Sequence, residues 1–175
     1  MGRSRSPRWA WAIAVCLVLA AGCGDITFID TQRVGRGQVS LRPLLDADSL
    51  AIPGLDTSNV IAALGEPVST RERRPPKDQR PGTVTVMRYE DLRIVVHELR
   101  RPSRGFISKL TISSGRYVTN LPFGVGATRS DVEEALGQPS SVDGDTATYP
   151  LSQDGDRCVV TYDSRRATKL VFEFA

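Results

Sequence analysis

The sequence predicts an α+β fold of two tandem units, each a short helix packed on a three-stranded antiparallel meander. The phrase ALGEPVST at residues 63–70 returns as ALGQPSSV at 135–142. Each copy ends a short amphipathic segment, and each is followed by three segments rich in strand-forming residues. Because such repetition is typical of a duplicated unit, we predict a first unit at 52–116 and a second at 117–175.

The chain begins with an export signal, predicted at residues 1–22. Arg3, Arg5 and Arg8 precede an uncharged run of 13 residues from Trp9 to Ala21. That run is shorter than the roughly 20 apolar residues that a membrane-spanning helix needs. A basic start, a short apolar run and small residues at its end are typical of a signal that is removed after export.

The end of this signal resembles the lipobox of bacterial lipoproteins, because Ala20, Ala21 and Gly22 run directly into Cys23. The resemblance implies that the Cys23 thiol is lipidated, with fatty acids such as palmitate, and becomes the first mature residue. Acyl chains would anchor the protein to the membrane. Gly24 implies the outer membrane, facing the periplasm, in a Gram-negative cell. The alternatives are a soluble secreted protein and an uncleaved anchor.

Removal of the signal changes the charge of the chain. The full sequence has 23 basic and 20 acidic residues, and the three signal arginines supply the whole excess. The mature chain is then formally neutral, and we predict no nucleic-acid binding. Its charge is uneven, since residues 71–116 carry 12 basic and 5 acidic side chains and residues 117–175 carry 5 and 9.

Residues 23–51 are poorly periodic and predict a tether, with one short strand near Gln38 to Leu41. The stretch RERRPPKDQRPG, at 71–82, is basic and rich in proline, which predicts a solvated loop between helix and strand. The functional alternative is that this loop is attracted to anionic lipid headgroups or to an acidic partner.

A short capped helix opens each unit. Apolar residues recur at helical spacing in both, as Val60, Ala63 and Leu64 and as Val132, Ala135 and Leu136. Thr128 and Asp131 form a near capping box ahead of the second helix. Gly65 and Gly137 suit a left-handed position just after each helix, and the prolines at 67 and 139 prevent the helices from continuing.

Strand-like segments follow each helix: TVTVMRY, LRIVVHEL and FISKLTIS in the first unit, and TATYP, RCVVTYD and ATKLVFEF in the second. The two meanders can join and share a core. Alternation directs one set of side chains toward the helices: Leu110, Ile112, Leu170, Phe172 and Phe174. The opposite face then holds the candidate partner-binding residues: Arg93, His97, Lys109, Lys169 and Glu173. A mixed apolar and charged face suits protein recognition.

The capped helix with valine, the LG-x-P phrase and a tyrosine-bearing strand resemble the SmpA/OmlA (BamE-like) lipoproteins. Their duplication resembles the tandem fold of β-lactamase-inhibitor proteins. The resemblance spans roughly residues 52–174 and implies a binding module, which assists outer-membrane protein assembly in the first family and presents a concave sheet to a partner protein in the second.

Candidate chemistry is sparse in this sequence. His97 is the only histidine, which excludes a histidine-based triad or a histidine cluster for zinc. Asp154 and Gly155 predict a hairpin turn, not a calcium loop. Cys158 aligns with Ile94 of the first unit and predicts a buried thiol. We therefore predict no cofactor, no bound metal and no catalytic residue.

Together these observations predict a lipid-anchored envelope protein that acts as a non-catalytic binding or assembly module for another envelope protein. One alternative is an envelope enzyme whose site has no recognisable motif. Another is a structural envelope lipoprotein with no defined partner.

Overall fold

The computed structural model describes residues 37–41, 56–75, 82–100 and 103–175. The predicted signal, Cys23 and Gly24 lie outside these ranges, as do residues 76–81 of the predicted loop. The elements are, in chain order, β1 (Val39–Ser40), α1 (Thr57–Leu64), β2 (Ser69–Arg73), β3 (Gly82–Arg88), β4 (Leu92–Arg100), β5 (Ser103–Ile112), β6 (Tyr117–Val118), α2 (Arg129–Leu136), β7 (Ser141–Asp143), β8 (Thr146–Pro150), β9 (Arg157–Asp163) and β10 (Arg166–Glu173).

Most strands of the described residues belong to one antiparallel sheet of eight strands, with the order β2-β3-β4-β5-β10-β9-β8-β7. β5 and β10 pair at its centre, where Lys109 lies opposite Glu173 and Leu110 lies opposite Phe172. Both outer strands, β2 and β7, come directly after a helix. The remaining two strands, β1 and β6, form a small parallel pair, with Val39 opposite Tyr117.

The predicted fold class is wrong. Half of the described residues are in strands and about 14% are in two helices, so the structure is mostly β instead of α+β. The sheet also differs from two helix-plus-meander units of three strands each. Segments predicted as loops form the outer strands β2 and β7, and the pairing of β5 with β10 gives a backbone partner to two strands that would otherwise be exposed edges.

The two helices have the predicted positions and N-terminal caps, whereas Gly65 and Gly137 after them have positive φ but extended ψ and are not left-handed helical as predicted. Asp56 caps α1, since its carboxylate accepts a hydrogen bond from the backbone N–H of Asn59 at 2.8 Å. Thr128 and Asp131 form the predicted capping box at α2, with reciprocal hydrogen bonds of 2.8 and 3.2 Å. Each helix has eight residues and buries one side chain completely, Val60 or Val132. Such short helices cover only part of the sheet.

The core lies between the helices and one face of the sheet. Along β9 the burial alternates, so that Cys158, Val160 and Tyr162 point into the core. Burying an apolar side chain of this size is worth about 1.5 to 3 kcal/mol. The predicted inward residues Leu110, Ile112, Leu170 and Phe172 are all buried, whereas Phe174 is partly buried against the same cluster.

Two segments outside the predicted strands of the units also join the structure. The short strand predicted near Gln38 to Leu41 is confirmed as β1, and Leu41 is fully buried in the core. The prediction of a loop at 71–82 is wrong for its first part, because 71–73 belong to β2 and pair with β3. The physical reason is that a strand needs a backbone partner, and β3 offers one despite the charges on β2.

Candidate binding face

The face of the sheet that points away from both helices is basic. We define the basic face by its charged side chains, assigned from strand register: Arg71, Arg73, Arg88, Arg93, Lys109, Arg157, Arg166 and Lys169, with the acidic Glu173, Asp163 and Asp143. The register therefore brings all five predicted partner-binding residues, Arg93, His97, Lys109, Lys169 and Glu173, onto one face, as alternation predicts.

The centre of the basic face is an ion-paired cluster. Lys109 Nζ lies 2.6 Å from Glu173 Oε1, and Arg157 Nη2 lies 2.6 Å from Glu173 Oε2. The hydrogen bonds from Lys109 and Arg157 lower the pKa of Glu173 below its ordinary value. The ammonium group of Lys109 and the carboxylate of Glu173 thus form an ion pair across the β5–β10 pairing. This arrangement indicates a structural role for both of these predicted partner-binding residues.

A small apolar patch lies beside this cluster. Val84, Val86 and Val95 pack together on β3 and β4, each less than 7% exposed. The aromatic rings of His97 and Phe106 stack at the same end of the face, with centroids 5.0 Å apart. Partial burial of His97 lowers its pKa below 6.5, and the nearby positive charge of Arg73 lowers it further. His97 is therefore uncharged at neutral pH and extends the apolar patch.

Arg88 and Arg93 sit directly opposite each other on neighbouring strands. The Nε atom of Arg93 is buried and finds no hydrogen-bond acceptor in the part of the chain that the structure describes. Both arginines line a shallow groove of about 260 Å³. Two guanidinium groups side by side in a groove are suited to binding a negatively charged group.

Sequence reasoning missed several members of this face. Val84, Val86 and Arg88 alternate within the segment TVTVMR, and that alternation could have identified them. Arg71 and Arg73 alternate in the same way on β2, but the surrounding prolines led to the prediction of a loop. Arg157 carried no signal of its own, because its position depends on the pairing of β9 with β10.

A second cavity of about 320 Å³ lies on the helix side of the sheet, between α2 and the C-terminal strand. Its walls are mostly apolar, including Leu121, Leu136 and Phe174. The buried Asp156 carboxylate accepts hydrogen bonds from Ser152 Oγ at 3.0 Å and from the backbone N–H of Ala175 at 2.9 Å. These bonds hold the end of the chain, so we assign Asp156 a structural role.

Other predicted features are local. Cys158 is fully buried, as predicted, and burial raises the pKa of its thiol to about 12, which disfavours the reactive thiolate at neutral pH. Asp154 and Gly155 lie in the predicted turn between β8 and β9, where Gly155 has a φ of 102°.

Within the described ranges no cluster of three or more histidine, cysteine or acidic side chains could hold a metal ion. In the same ranges, no helix has the length and apolar character to span a bilayer.

Comparisons with known proteins give one match. No protein-family model matches the chain, and no curated protein matches it. The chain is similar to the crystal structure of a DUF4309 family protein (YjgB) from Bacillus subtilis subsp. subtilis str. 168, with a TM-score of 0.40 and 16% sequence identity. The similarity covers 73% of this chain and 83% of that chain.

Proposed function

We propose that this protein is an envelope lipoprotein, anchored through Cys23, whose basic face binds an acidic segment of another envelope protein. The observation that carries the proposal is the composition of that face, which has eight basic and three acidic side chains among those defined above. Complementary charge steers an acidic partner toward such a surface. The resemblance to β-lactamase-inhibitor proteins, which present a sheet to a partner protein, supports the same proposal.

Not all of the basic side chains are available to a partner. Lys109 and Arg157 are already paired with Glu173, which is the one acidic residue near the centre of the face. Among the described residues, the positive charges without an ion pair on this face are Arg71, Arg73, Arg88, Arg93, Arg166 and Lys169. Four of these six lie on β2, β3 and β4, so we place the centre of the binding surface on the first half of the sheet.

The valine patch lies within this same half. Val84 and Val86 are opposite Arg73 and Arg71 on β2 and opposite His97 and Val95 on β4. An acidic segment laid across these strands would contact the arginines, whereas the valines are buried and support the strands that carry them. This surface offers positive charge and a shape on which a partner can be bound. Binding of this kind needs no catalytic residue, so a non-catalytic role fits it.

Site-specific photocrosslinking in the native envelope tests the proposal. A photoreactive amino acid would replace Ser69 or Thr111, which lie on the basic face opposite Arg88 and Arg93 respectively. Matched controls would carry it at Glu134 or Gln138, which are exposed at and beyond the end of α2. We expect one crosslinked protein from the basic-face positions, identified by mass spectrometry as having an acidic surface segment. Equal crosslinking from the control positions, or a basic crosslinked partner, would contradict the proposal.

A further inference from the structure

The groove between Arg88 and Arg93 brings two positive charges unusually close. The residues are direct partners in the β3–β4 register, and side chains at such positions have Cβ atoms about 4.5 to 5.5 Å apart. Like charges in this arrangement repel each other. Within the described ranges the ion pairs involve Lys109, Arg116 and Arg157, and none involves Arg88 or Arg93. The pair therefore has excess positive charge that a bound anion would neutralise.

Arg93 provides a second, independent sign of a missing acceptor. Its Nε–H donor is buried from water and makes no hydrogen bond among the described residues. A buried donor without an acceptor is unfavourable, and a charged one is more so. Because Nε is closed to water, a carboxylate in the groove would pair with the terminal nitrogens of the same guanidinium and bring its negative charge near the unpaired donor.

The walls of the groove are fixed before any ligand arrives. The turn between β3 and β4 is held by a hydrogen bond from the backbone N–H of Tyr89 to the carbonyl of Leu92, at 2.8 Å. A bond of 2.9 Å from the N–H of Ser113 to the carbonyl of Asp91 ties the end of β5 to the same turn. Thr111 lies opposite Arg93 and also lines the groove. A preformed site loses little conformational freedom when it binds.

Asp91 also lines the groove, so its negative charge partly offsets the two arginines. A doubly charged phosphate would be attracted more strongly by the arginines and repelled more strongly by Asp91 than a carboxylate, so charge alone does not decide between the two anions. The volume of about 260 Å³ has room for the side chain of a glutamate or an aspartate.

We infer that the groove between Arg88 and Arg93 is a binding site for one carboxylate side chain of the acidic partner, held chiefly by the guanidinium of Arg93. The inference rests on the proposed function for the identity of the ligand. The site itself can be tested without the partner, because small carboxylates and acidic peptides probe the same chemistry.

The test follows the Arg93 Nε–Hε signal by NMR in ¹⁵N-labelled full-length protein in a non-ionic detergent, assigned by its loss in Arg93→Lys. Sodium acetate, a glutamate hexapeptide and inorganic phosphate would be titrated separately, with sodium chloride keeping the ionic strength constant. We expect saturable shifts of this signal with acetate and with the hexapeptide. The hexapeptide should bind more tightly than acetate, and the phosphate titration tests whether the groove prefers a carboxylate.

Substitutions that keep the charge separate this site from general attraction. Arg93→Lys removes the Nε–H and should weaken hexapeptide binding roughly ten-fold, because lysine cannot replace a bidentate guanidinium. Arg88→Lys, at an exposed position, provides a second variant that should fold normally and also weaken binding. Arg73→Lys, on the same face but outside the groove, should leave the affinity within about two-fold if the guanidinium geometry matters only in the groove.

Three outcomes would overturn the inference: no saturable shift of the Arg93 signal, equal effects of the lysine substitutions at 73, 88 and 93, or tighter binding of phosphate than of acetate. The first would show that the groove is not a site. The second would show diffuse attraction to the whole face, and the third would show a phosphate site. Acetate binding without any crosslinked partner would leave the groove established and would contradict only the proposed function.

Discussion

Lys109 Nζ and Glu173 Oε1 lie 2.6 Å apart across the pairing of β5 with β10, where the two halves of the sheet meet. The residues are 64 positions apart in the sequence. Arg157 contacts the other oxygen of the same carboxylate, so one glutamate ties together three neighbouring strands. This cluster gives structural roles to two residues that the sequence predicts as partner contacts.

We expect Glu173→Gln to lower the free energy of unfolding by about 1 kcal/mol or less, because water partly screens a pair in which Lys109 is 40% exposed. The folded-state pKa of Glu173 is lowered from 4.5, so its contribution is complete above that pH and is lost as the pH falls through the folded-state value. Chemical denaturation of both proteins should show a difference at pH 7 that shrinks in acid. A difference that grows in acid would contradict this assignment.

Gly65 and Gly137 follow the two helices, and their backbone angles are ones that residues with a Cβ atom rarely adopt. Their φ angles are 83° and 81°, as predicted, but their ψ angles of −175° and −166° are extended instead of left-handed helical. Gly65→Ala and Gly137→Ala should each cost about 1 to 3 kcal/mol of stability. A Cβ at either position would meet no atom within 4 Å, so the cost comes from the backbone alone.

The matched control for these glycines is Gly124→Ala. A Cβ at Gly124 also meets no atom within 4 Å, and its φ lies outside the positive region. Thermal melts should therefore show little change for Gly124→Ala and clear losses for the other two variants. Equal melting temperatures for all three would show that the helix ends are not constrained in this way.

His97 should make stability depend on pH below neutrality. Partial burial and then the charge of Arg73 lower its folded-state pKa from 6.5, so the unfolded chain takes up the proton first as the pH falls. The contribution of His97 to the free energy of unfolding should be constant above pH 6.5 and should decrease below that pH. His97→Gln should remove that decrease between about pH 6.5 and 5. Parallel pH profiles of wild type and variant would contradict the prediction.

Charge reversal on β2 tests the basic face in binding. Arg71→Glu with Arg73→Glu changes two exposed residues of an outer strand, so we expect the fold to remain intact. Once the partner is identified, its affinity should fall at low salt and fall less at high salt. The reversal of Lys109 is less informative, because a glutamate there would face Glu173. Unchanged affinity at low salt with a native spectrum would exclude this face as the binding surface.

Lipid attachment is predicted to depend on the thiol of Cys23. Cys23→Ser should abolish labelling by a radioactive fatty acid, because serine cannot form the thioether. Cys158→Ala is the control, since that thiol is fully buried in the core and should not be acylated. Label retained in Cys23→Ser, or lost in Cys158→Ala, would show that the lipobox assignment is wrong.

The sequence by itself determined the features that depend on neighbours within a few residues. The caps of α2 at Thr128 and Asp131 are an example, because a capping box joins residues three positions apart. The positive φ of Gly65 and Gly137 follows from the same local rule. The alternation of side chains between the two faces of a strand also depends only on neighbouring residues. The placement of Arg93, His97 and Lys109 on one face could therefore be predicted.

Only the tertiary structure decided the fold class and the shape of the candidate site. β2 carries charges and borders prolines, and it is a strand because β3 lies beside it to accept and donate its hydrogen bonds. The pairing of β5 with β10 joins segments far apart in the chain, so no local pattern specifies it. The same holds for the unpaired Nε of Arg93, since whether a donor finds an acceptor depends on which distant strands fold against it.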